Sequence, residues 1–545
     1  MRRGEVVVRT LGDLLPIAAA EFPDRTAVVG AERSFSFDEV NRSAAAVARS
    51  FGSAGVAAGD HVVLSMHKTP DAFVIIHGLL RAGAVVVPID PLMPVPSAVS
   101  LIEAVGPTAV IADEASMQRF DLFGGDAGGF AVFTTDVDDP RATSLRPFID
   151  DPDQNGPDLP AVSADDPAYV IFTSGSTGEP KGITHTHRSA IAYATLAVNV
   201  HGITADDRLA GLPPLHFDMS TLELYAAPLA GASIVPIGTA ELRFPATFTE
   251  RAEAENITLW YSVPFQLRQI SERGGLDQRD MSSLRHVIYA GEAFSAPALS
   301  ALMAQLPGVR FTNAYGPAET NVVTVHELDA PPVDAVPIGR PWGDVEAVIV
   351  DQQRQVKGVA DLVEVADGVI GELWVKATSM MSGYLHRPDL TVERIVGEGD
   401  NRWYRTGDLV KRDPAGVLSL LGRTDHQVKV RGTRLELEAI ESVLASNPEV
   451  ADAVVSPDRS GSSIEHLVAA VTLAAGTTDL DLRSLRRWCA GKIASVAVPL
   501  DVAVWDSFPL TSSGKIDRSL VRSAIDNANA SAVAGESITN GCSYD

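Results

Sequence analysis

The 545-residue chain is 46% hydrophobic and 21% charged, an ordinary balance for a globular protein. Its length allows two or more domains. A net charge of −26 argues against a nucleic-acid partner, which selects for a basic surface. The two cysteines, Cys489 and Cys542, make neither a disulfide framework nor a metal cluster, so a reducing cytoplasm is expected. No signal-peptide core follows Arg2 and Arg3, and no run of about 18 apolar residues is present, so no membrane partner is expected.

The first 150 residues alternate helix-like and strand-like patterns. Leu11 to Phe22 is amphipathic, Thr26 to Val29 strand-like, and Phe37 to Phe51 helical. His61 to Met66 reads as a strand, Asp71 to Ala82 as a helix and Ala84 to Ile89 as a strand. Such alternation predicts parallel sheets covered by helices, continuing to about residue 350. Pro and Gly between Pro140 and Pro167 predict a surface loop. From 335 to 424 short β runs dominate, as in Val345–Val350 and Leu373–Val375, and predict a β-rich subdomain.

The last hundred residues predict a compact α+β unit. Gln427–Val430, Ala453–Val455 and His466–Leu473 read as strands. Leu437, Ile440, Val443 and Leu444 share a helix face, and Leu482–Lys492 is helical. The small polar stretch from Asn527 predicts a disordered tail. The fold class is therefore α/β: a large N-terminal domain of helix-covered sheets with a β-rich subdomain (1–424), a small α+β domain (425–527) and a tail (528–545).

The most informative stretch is Tyr169–Gly182, YVIFTSGSTGEPKG. A buried apolar strand runs straight into Thr173, Ser174, Gly175, Ser176, Thr177 and Gly178. Backbone N–H groups and hydroxyls of so small a loop can close around phosphate, and Lys181 adds a cation. A Walker A loop is excluded, because Pro180 precedes Lys181 and Gly182 stands where the magnesium-binding hydroxyl would be. A Ser/Thr/Gly linker is the bland alternative, but linkers rarely follow a buried strand without a break.

Six further motifs accompany it: LLRAGAVVVPID (79–90), HFDMSTLELY (216–225), NAYGPAET (313–320), YRTGDLV (404–410), GRTDHQVKVRG (422–432) and PLTSSGKIDR (509–518). In this order and spacing they resemble the adenylation domains of nonribosomal peptide synthetases, members of the adenylate-forming superfamily with acyl-CoA synthetases and firefly luciferase. The resemblance implies a mobile C-terminal domain and a two-step reaction. A carboxylate attacks the α-phosphorus of ATP, giving an acyl-adenylate and pyrophosphate. The acyl group then passes to a thiol.

The resemblance also implies roles. Lys515 matches the catalytic lysine that bridges the substrate carboxylate and the α-phosphate. Glu319 matches the Mg2+ ligand, and Thr320 would contact the α-phosphate. In the same segment, with Ala314 and Gly316, Tyr315 offers an aromatic face for adenine and Asn313 an amide for its polar edge. Asp408 would take the ribose hydroxyls and Arg423 a further nucleotide contact. Asp425 matches the hinge about which the C-terminal domain turns, and Gly432 lies by the implied thiol channel. Taken alone, Lys515 reads as a solvated lysine, Asp408 as a turn cap and Gly316-Pro317 as a turn. Ala318, Glu438-Ala439 and Ala377–Met381 depart from the family pattern, which touches loop geometry rather than chemistry.

Asp218 decides the substrate class. In amino-acid-activating members an aspartate here pairs with the α-amino group; a helix N-cap is the local alternative. The family's pocket positions fall on Met219, Leu222, Tyr261, Ile288, Ala290, Ala314, Val322 and Val323, an apolar lining with one phenol. The set most resembles pockets that activate proline, including stand-alone enzymes that feed pyrrole formation, so L-proline is the expected substrate and natural-product biosynthesis the expected setting. After Arg518 only 27 residues remain, too few for a carrier domain. The expected acceptor is phosphopantetheine on a separate peptidyl carrier protein. The resemblance leaves room for a small activating helper protein. The alternatives are an acyl- or aryl-CoA ligase and a catalytically silent nucleotide-binding scaffold.

Overall fold

The computed structural model describes residues 8 to 533 apart from 32, 123–128, 136–138, 140, 154–155, 174–179, 352–357, 360–361, 425–426, 459–463, 475–476, 478 and 510–515. Two large sheets form its body. The nine-stranded sheet runs, in spatial order, Arg340–Pro341, Thr324–Leu328, Arg310–Tyr315, His286–Ala290, Leu259–Ser262, Arg208–Gly211, Ser233–Pro236, Thr26–Val28 and Phe35–Ser36. The eight-stranded sheet runs Gly383–Tyr384, Lys181–Thr186, Pro167–Thr173, Val85–Pro88, His61–Ser65, Ala109–Ala112, Ala131–Thr134 and Thr143–Ser144.

The expected parallel pairing holds in the middle of both sheets and at the Thr143–Ser144 edge, but not at the other edges. Thr324–Leu328 returns antiparallel beside Arg310–Tyr315, and Lys181–Thr186 beside Pro167–Thr173. Short connections without a crossover helix favour an antiparallel return, as in these two hairpins.

Period-two alternation divides each strand between two cores. Leu259, Tyr261, Ile288 and Ala290 face an inner core shared with the helices Leu14–Glu21, Phe37–Ser53, Pro70–Arg81 and His187–His201. Trp260, Val287 and Tyr289 face an outer core closed by Pro245–Ala254, Pro264–Arg273 and Ala296–Gln305. Val62 and Leu64 join the inner core, while Val63 packs on the far side with Val85, Val87 and Val110. The inner-facing residues at the strand ends are thus the ones free to line a site.

Helix starts follow local chemistry. Ser36 Oγ accepts the Glu39 N–H at 3.3 Å, and the Glu39 carboxylate accepts the Ser36 N–H at 2.8 Å, closing a capping box before Phe37–Ser53. Thr69 caps Pro70–Arg81 through the Ala72 N–H at 3.2 Å. The loop expected between Pro140 and Pro167 contains a short strand and the helix Arg146–Asp150, because Leu145 and Ile149 are fully buried.

The expected β-rich region is a five-stranded antiparallel sheet built from Glu346–Val350, Ile370–Lys376, Ile395–Val396, Trp403–Arg412 and Leu418–Arg423. Beyond it, Gln427–Val430 and Thr433–Glu436 make a hairpin, and Val450–Pro457, Leu467–Leu473 and Asp501–Trp505 a three-stranded sheet with its own core. The final helix spans Arg518–Val533, which corrects the tail expected from 527. Val521 and Ile525 pack on Val454 and Val468, and that anchorage carries the helix past the predicted end.

Candidate active site

The carboxyl ends of the parallel strands in the nine-stranded sheet converge on one cavity of about 540 Å³. Crevices at such ends are where open α/β sheets bind ligands. Strand Arg208–Gly211 leads to His216–Met219. Leu259–Ser262 supplies Tyr261, His286–Ala290 supplies Ala290, and Arg310–Tyr315 leads to Gly316–Ala318.

Asp218 sits on this wall. Its Oδ1 accepts the Met219 N–H at 2.9 Å, and no described side chain forms an ion pair with it. The N-cap alternative is met only by this adjacent contact, and the chain continues into a π-helical turn, Leu222–Ala226. Such turns recur at functional sites because the extra residue re-aims side chains. Burial raises the Asp218 pKa, and Lys429 partly opposes the shift.

Met219, Tyr261, Ala290 and Val322 line the cavity beside Asp218. The other four expected pocket residues, Leu222, Ile288, Ala314 and Val323, lie in the same buried core without being part of the lining. Tyr193, from the helix His187–His201, adds a second phenol that sequence reasoning missed. Its hydroxyl meets that of Tyr261; burial, then the Asp218 charge, raises its pKa. A helical tyrosine on an apolar face gives no signal of such a role.

A buried ion pair supports the wall from behind. Lys68 Nζ pairs with Glu223 in the π-turn and donates to the carbonyls of Gly211, at 3.1 Å, and Pro213. It therefore ties the strand end before His216 to the turn after Asp218. Burial lifts the Glu223 pKa to about 7 against the pull of Lys68.

The expected nucleotide residues are only partly gathered. Asp408 accepts from the Tyr315 hydroxyl and from Arg423, so the expected ribose, adenine and nucleotide contacts form one cluster. Gly316 lines the cavity, where a Cβ would meet the Asn321 carbonyl oxygen at 1.7 Å. Asn313 instead donates its amide to the Pro337 carbonyl at 2.8 Å, and Thr320 donates to Pro317 at 3.2 Å. Neither lines the cavity.

Glu319 is buried, 1% exposed. It accepts from the Tyr384 hydroxyl at 2.8 Å and from Arg434 Nη1 at 2.9 and 3.1 Å. Burial alone would raise its pKa; Arg434 and Tyr384 hold it at about 2. The departing segment Ala377–Met381 braces this region, with Met381 N–H on the Glu319 carbonyl at 2.7 Å and Ser379 Oγ on the Thr320 carbonyl at 2.8 Å. Lys181 begins its strand and pairs with Glu436 at 3.1 Å. A carboxylate that already tolerates a cation fits Mg2+, which takes one or two protein carboxylates beside phosphate oxygens.

The hairpin Gln427–Glu436 closes the cavity from the other side. Its turn holds Arg431 and Gly432 at φ +50° and +81°, the signature of a tight two-residue hairpin turn. Gly432 donates its N–H to Glu292 at 3.0 Å, and a Cβ there would meet Val263 at 2.4 Å. Lys429, Arg434 and Glu436 join the lining, and desolvation lowers the Lys429 pKa. The alternating pattern QVKV…TRLE was the available signal for them. Ser174, Gly175, Ser176, Thr177 and Gly178 of the phosphate loop, Asp425 of the hinge, and Lys515 lie outside the described residues.

Comparison with known proteins shows the family. The AMP-binding enzyme family matches residues 15–385, and the AMP-binding enzyme C-terminal domain matches 439–515. The chain belongs to the AMP-binding enzymes. It is an ATP-dependent, AMP-forming ligase of the adenylate-forming fold, with a large N-terminal α/β domain and a smaller C-terminal domain. An L-proline--[L-prolyl-carrier protein] ligase of Pseudomonas fluorescens is 32% identical over 94% of this chain and 98% of the relative. Phosphinothricin tripeptide synthetase PhsB of Streptomyces viridochromogenes is 33% identical over 93% of this chain but only 42% of its own length. The amide bond synthetase McbA from Marinactinospora thermotolerans superposes with a TM-score of 0.81 at 25% identity, over 94% of this chain and 99% of McbA. No described helix is long and apolar enough to cross a membrane.

Proposed function

We propose that this ligase activates a small or medium apolar amino acid, L-proline foremost, and passes it to the phosphopantetheine thiol of a separate carrier protein. The carrying observation is Asp218: a carboxylate with no described ion-pair partner on the wall of an apolar slot. A buried carboxylate is costly without a cation, and a substrate ammonium supplies one. The ammonium of proline is secondary and can still pair, while its ring suits Met219, Ala290 and Val322. The relative named for proline and a carrier protein supports the same reading.

In the first step a substrate carboxylate oxygen attacks the α-phosphorus, and the bond to the β-phosphate breaks to release pyrophosphate. Two anions must approach, so positioned cations matter most. Lys515 bridges carboxylate and α-phosphate, the 173–178 loop and Lys181 hold the departing phosphates, and Asp408, Tyr315 and Arg423 hold the nucleoside. Glu319 would hold Mg2+, which neutralises phosphate charge when bound. In the second step the thiol attacks the acyl carbon past Gly432 and AMP leaves; a turn about Asp425 exchanges Lys515 for Gly432.

Amino-acid-dependent ATP–pyrophosphate exchange tests the reading. Proline should give the highest rate, with aryl acids near background; valine or alanine clearly outrunning proline would reject the proline assignment. Lys515→Ala should slow exchange by about 100-fold or more.

A further inference from the structure

The helix His187–His201 reaches the apolar slot with one large side chain. Ala190 and Ala197, one turn to either side of Tyr193, are fully buried and have no bulk to hold the helix away. Tyr193, 2% exposed, fills the gap between the helix and the cavity, which it lines beside Asp218, Met219, Tyr261 and Val322. Its hydroxyl meets those of Tyr261 and Thr221. Thr221 Oγ1 also contacts the Asp218 carbonyl at 2.5 Å, so the phenol is tied to the segment that carries Asp218.

The ring has no room to retreat. Trp342, which does not line the cavity, packs on it with ring centroids 6.3 Å apart. The indole is itself fixed. Its Nε1 donates to the Val322 carbonyl at 2.8 Å, and its backbone N–H to the Val323 carbonyl at 3.3 Å. Gly343 follows at φ +56°, and a Cβ there would meet Leu196 at 2.0 Å, so the turn is clamped against the same helix that carries Tyr193. His201, at the end of that helix, packs on the indole with ring centroids 5.7 Å apart. An interior packed in this way takes up added volume only with strain.

We infer that Tyr193 is a specificity-determining residue, a rigid stop that limits the slot to compact side chains, and that Trp342 is the positioning residue that holds it there. This rests on the reading above, in which Asp218 fixes the amino group and the slot takes the side chain. With the amino end pinned, the depth left for the side chain is set by the wall that cannot move. Met219 is unbranched and can adapt. Ala290 and Val322 are small. The Tyr193–Trp342 stack is large and fixed. A five-membered ring that closes back on its own nitrogen asks for little depth, whereas leucine and phenylalanine reach into the space that Tyr193 occupies. Tyr193 lies outside every motif that marked the pocket.

The test reads ratios of kcat/KM between substrates, which a merely structural role would not move. ATP–pyrophosphate exchange is measured with proline, valine, leucine and phenylalanine. Tyr193→Leu shortens the wall and keeps it apolar, so the leucine-to-proline ratio should rise by about 10-fold or more, as expected for a methylene or two in an apolar pocket. Tyr193→Ala should extend the gain to phenylalanine. Tyr193→Phe keeps the ring and should leave the ratios as in wild type, although KM rises for each amino acid. Trp342→Leu should move the ratios in the direction of Tyr193→Leu, and by less. The KM for ATP and the urea-unfolding midpoint show that a variant is intact, and Tyr193→Met carries the same readout should Tyr193→Leu fail to fold. An intact Tyr193→Leu or Tyr193→Met variant with unchanged ratios overturns the inference, as does a Tyr193→Phe variant that shifts them as far. If the wild type prefers valine or alanine to proline, the proline assignment falls while the shift towards leucine still decides this one. If only aryl acids support exchange, the amino-acid reading falls, and the ratio of para-substituted to unsubstituted benzoate decides the stop in the same way.

Discussion

Two of the buried ion-pair systems that the described residues place around the cavity differ in kind. Lys68–Glu223 lies wholly within the N-terminal body, where Lys68 also donates to two backbone carbonyls. Arg434–Glu319 and Lys181–Glu436 join separate regions, the hairpin and the N-terminal body. The first braces the wall, since Lys68 ties Glu223 to the Gly211 and Pro213 carbonyls. The second spans two parts of the chain that are far apart in sequence. Burial and distance alone do not tell such pairs apart; what else each partner could bind does.

The largest effect that sharpens this contrast is on the structural pair. Lys68→Met should destabilise the protein by about 3–5 kcal/mol, since it strands a buried carboxylate. Replacing Lys68 and Glu223 together by apolar residues should cost less. Urea unfolding checks both, and a double variant no better than Lys68→Met would show that the carbonyl contacts dominate.

Asp218→Asn comes next. Removing one partner of a buried charge pair is worth roughly 2–4 kcal/mol, or about 30- to 1000-fold in kcat/KM for the amino acid. It should leave the KM for ATP nearly unchanged. Burial raises the Asp218 pKa above 3.8. On acidification the ionised, ammonium-binding form is therefore lost at a higher pH than for an exposed aspartate. The KM for the amino acid should rise in that range, and the Asn variant should lose the dependence.

Tyr193→Phe keeps the ring and removes one hydroxyl beside Asp218, so about 1 kcal/mol, or roughly fivefold in amino-acid KM, is expected. The smallest effect belongs to Arg188→Ala, whose pair with Asp165 is 55% and 71% exposed. Stability should change by less than about 1 kcal/mol. A larger loss there would blur the distinction between buried and surface pairs on which the comparison rests.

Sequence by itself determined the class of protein and most of its elements. Period-two and helical patterns placed strands such as His61–Ser65 and helices such as Pro70–Arg81 within a residue or two, because each records its own local burial. The family resemblance marked Asp218, Tyr261, Ala290, Gly316, Asp408 and Gly432, and these do meet at one cavity. The tertiary structure alone decided which of them face it: Leu222, Ile288, Ala314 and Val323 do not, and Asn313 turns to Pro337. It also supplied Tyr193, the Lys68–Glu223 brace and the Arg434 and Glu436 contacts. Those partners lie 115 to 255 positions apart in the chain. Charge pairing at that separation leaves no periodic trace, since it is fixed by how sheets and hairpin pack rather than by any local run of residues.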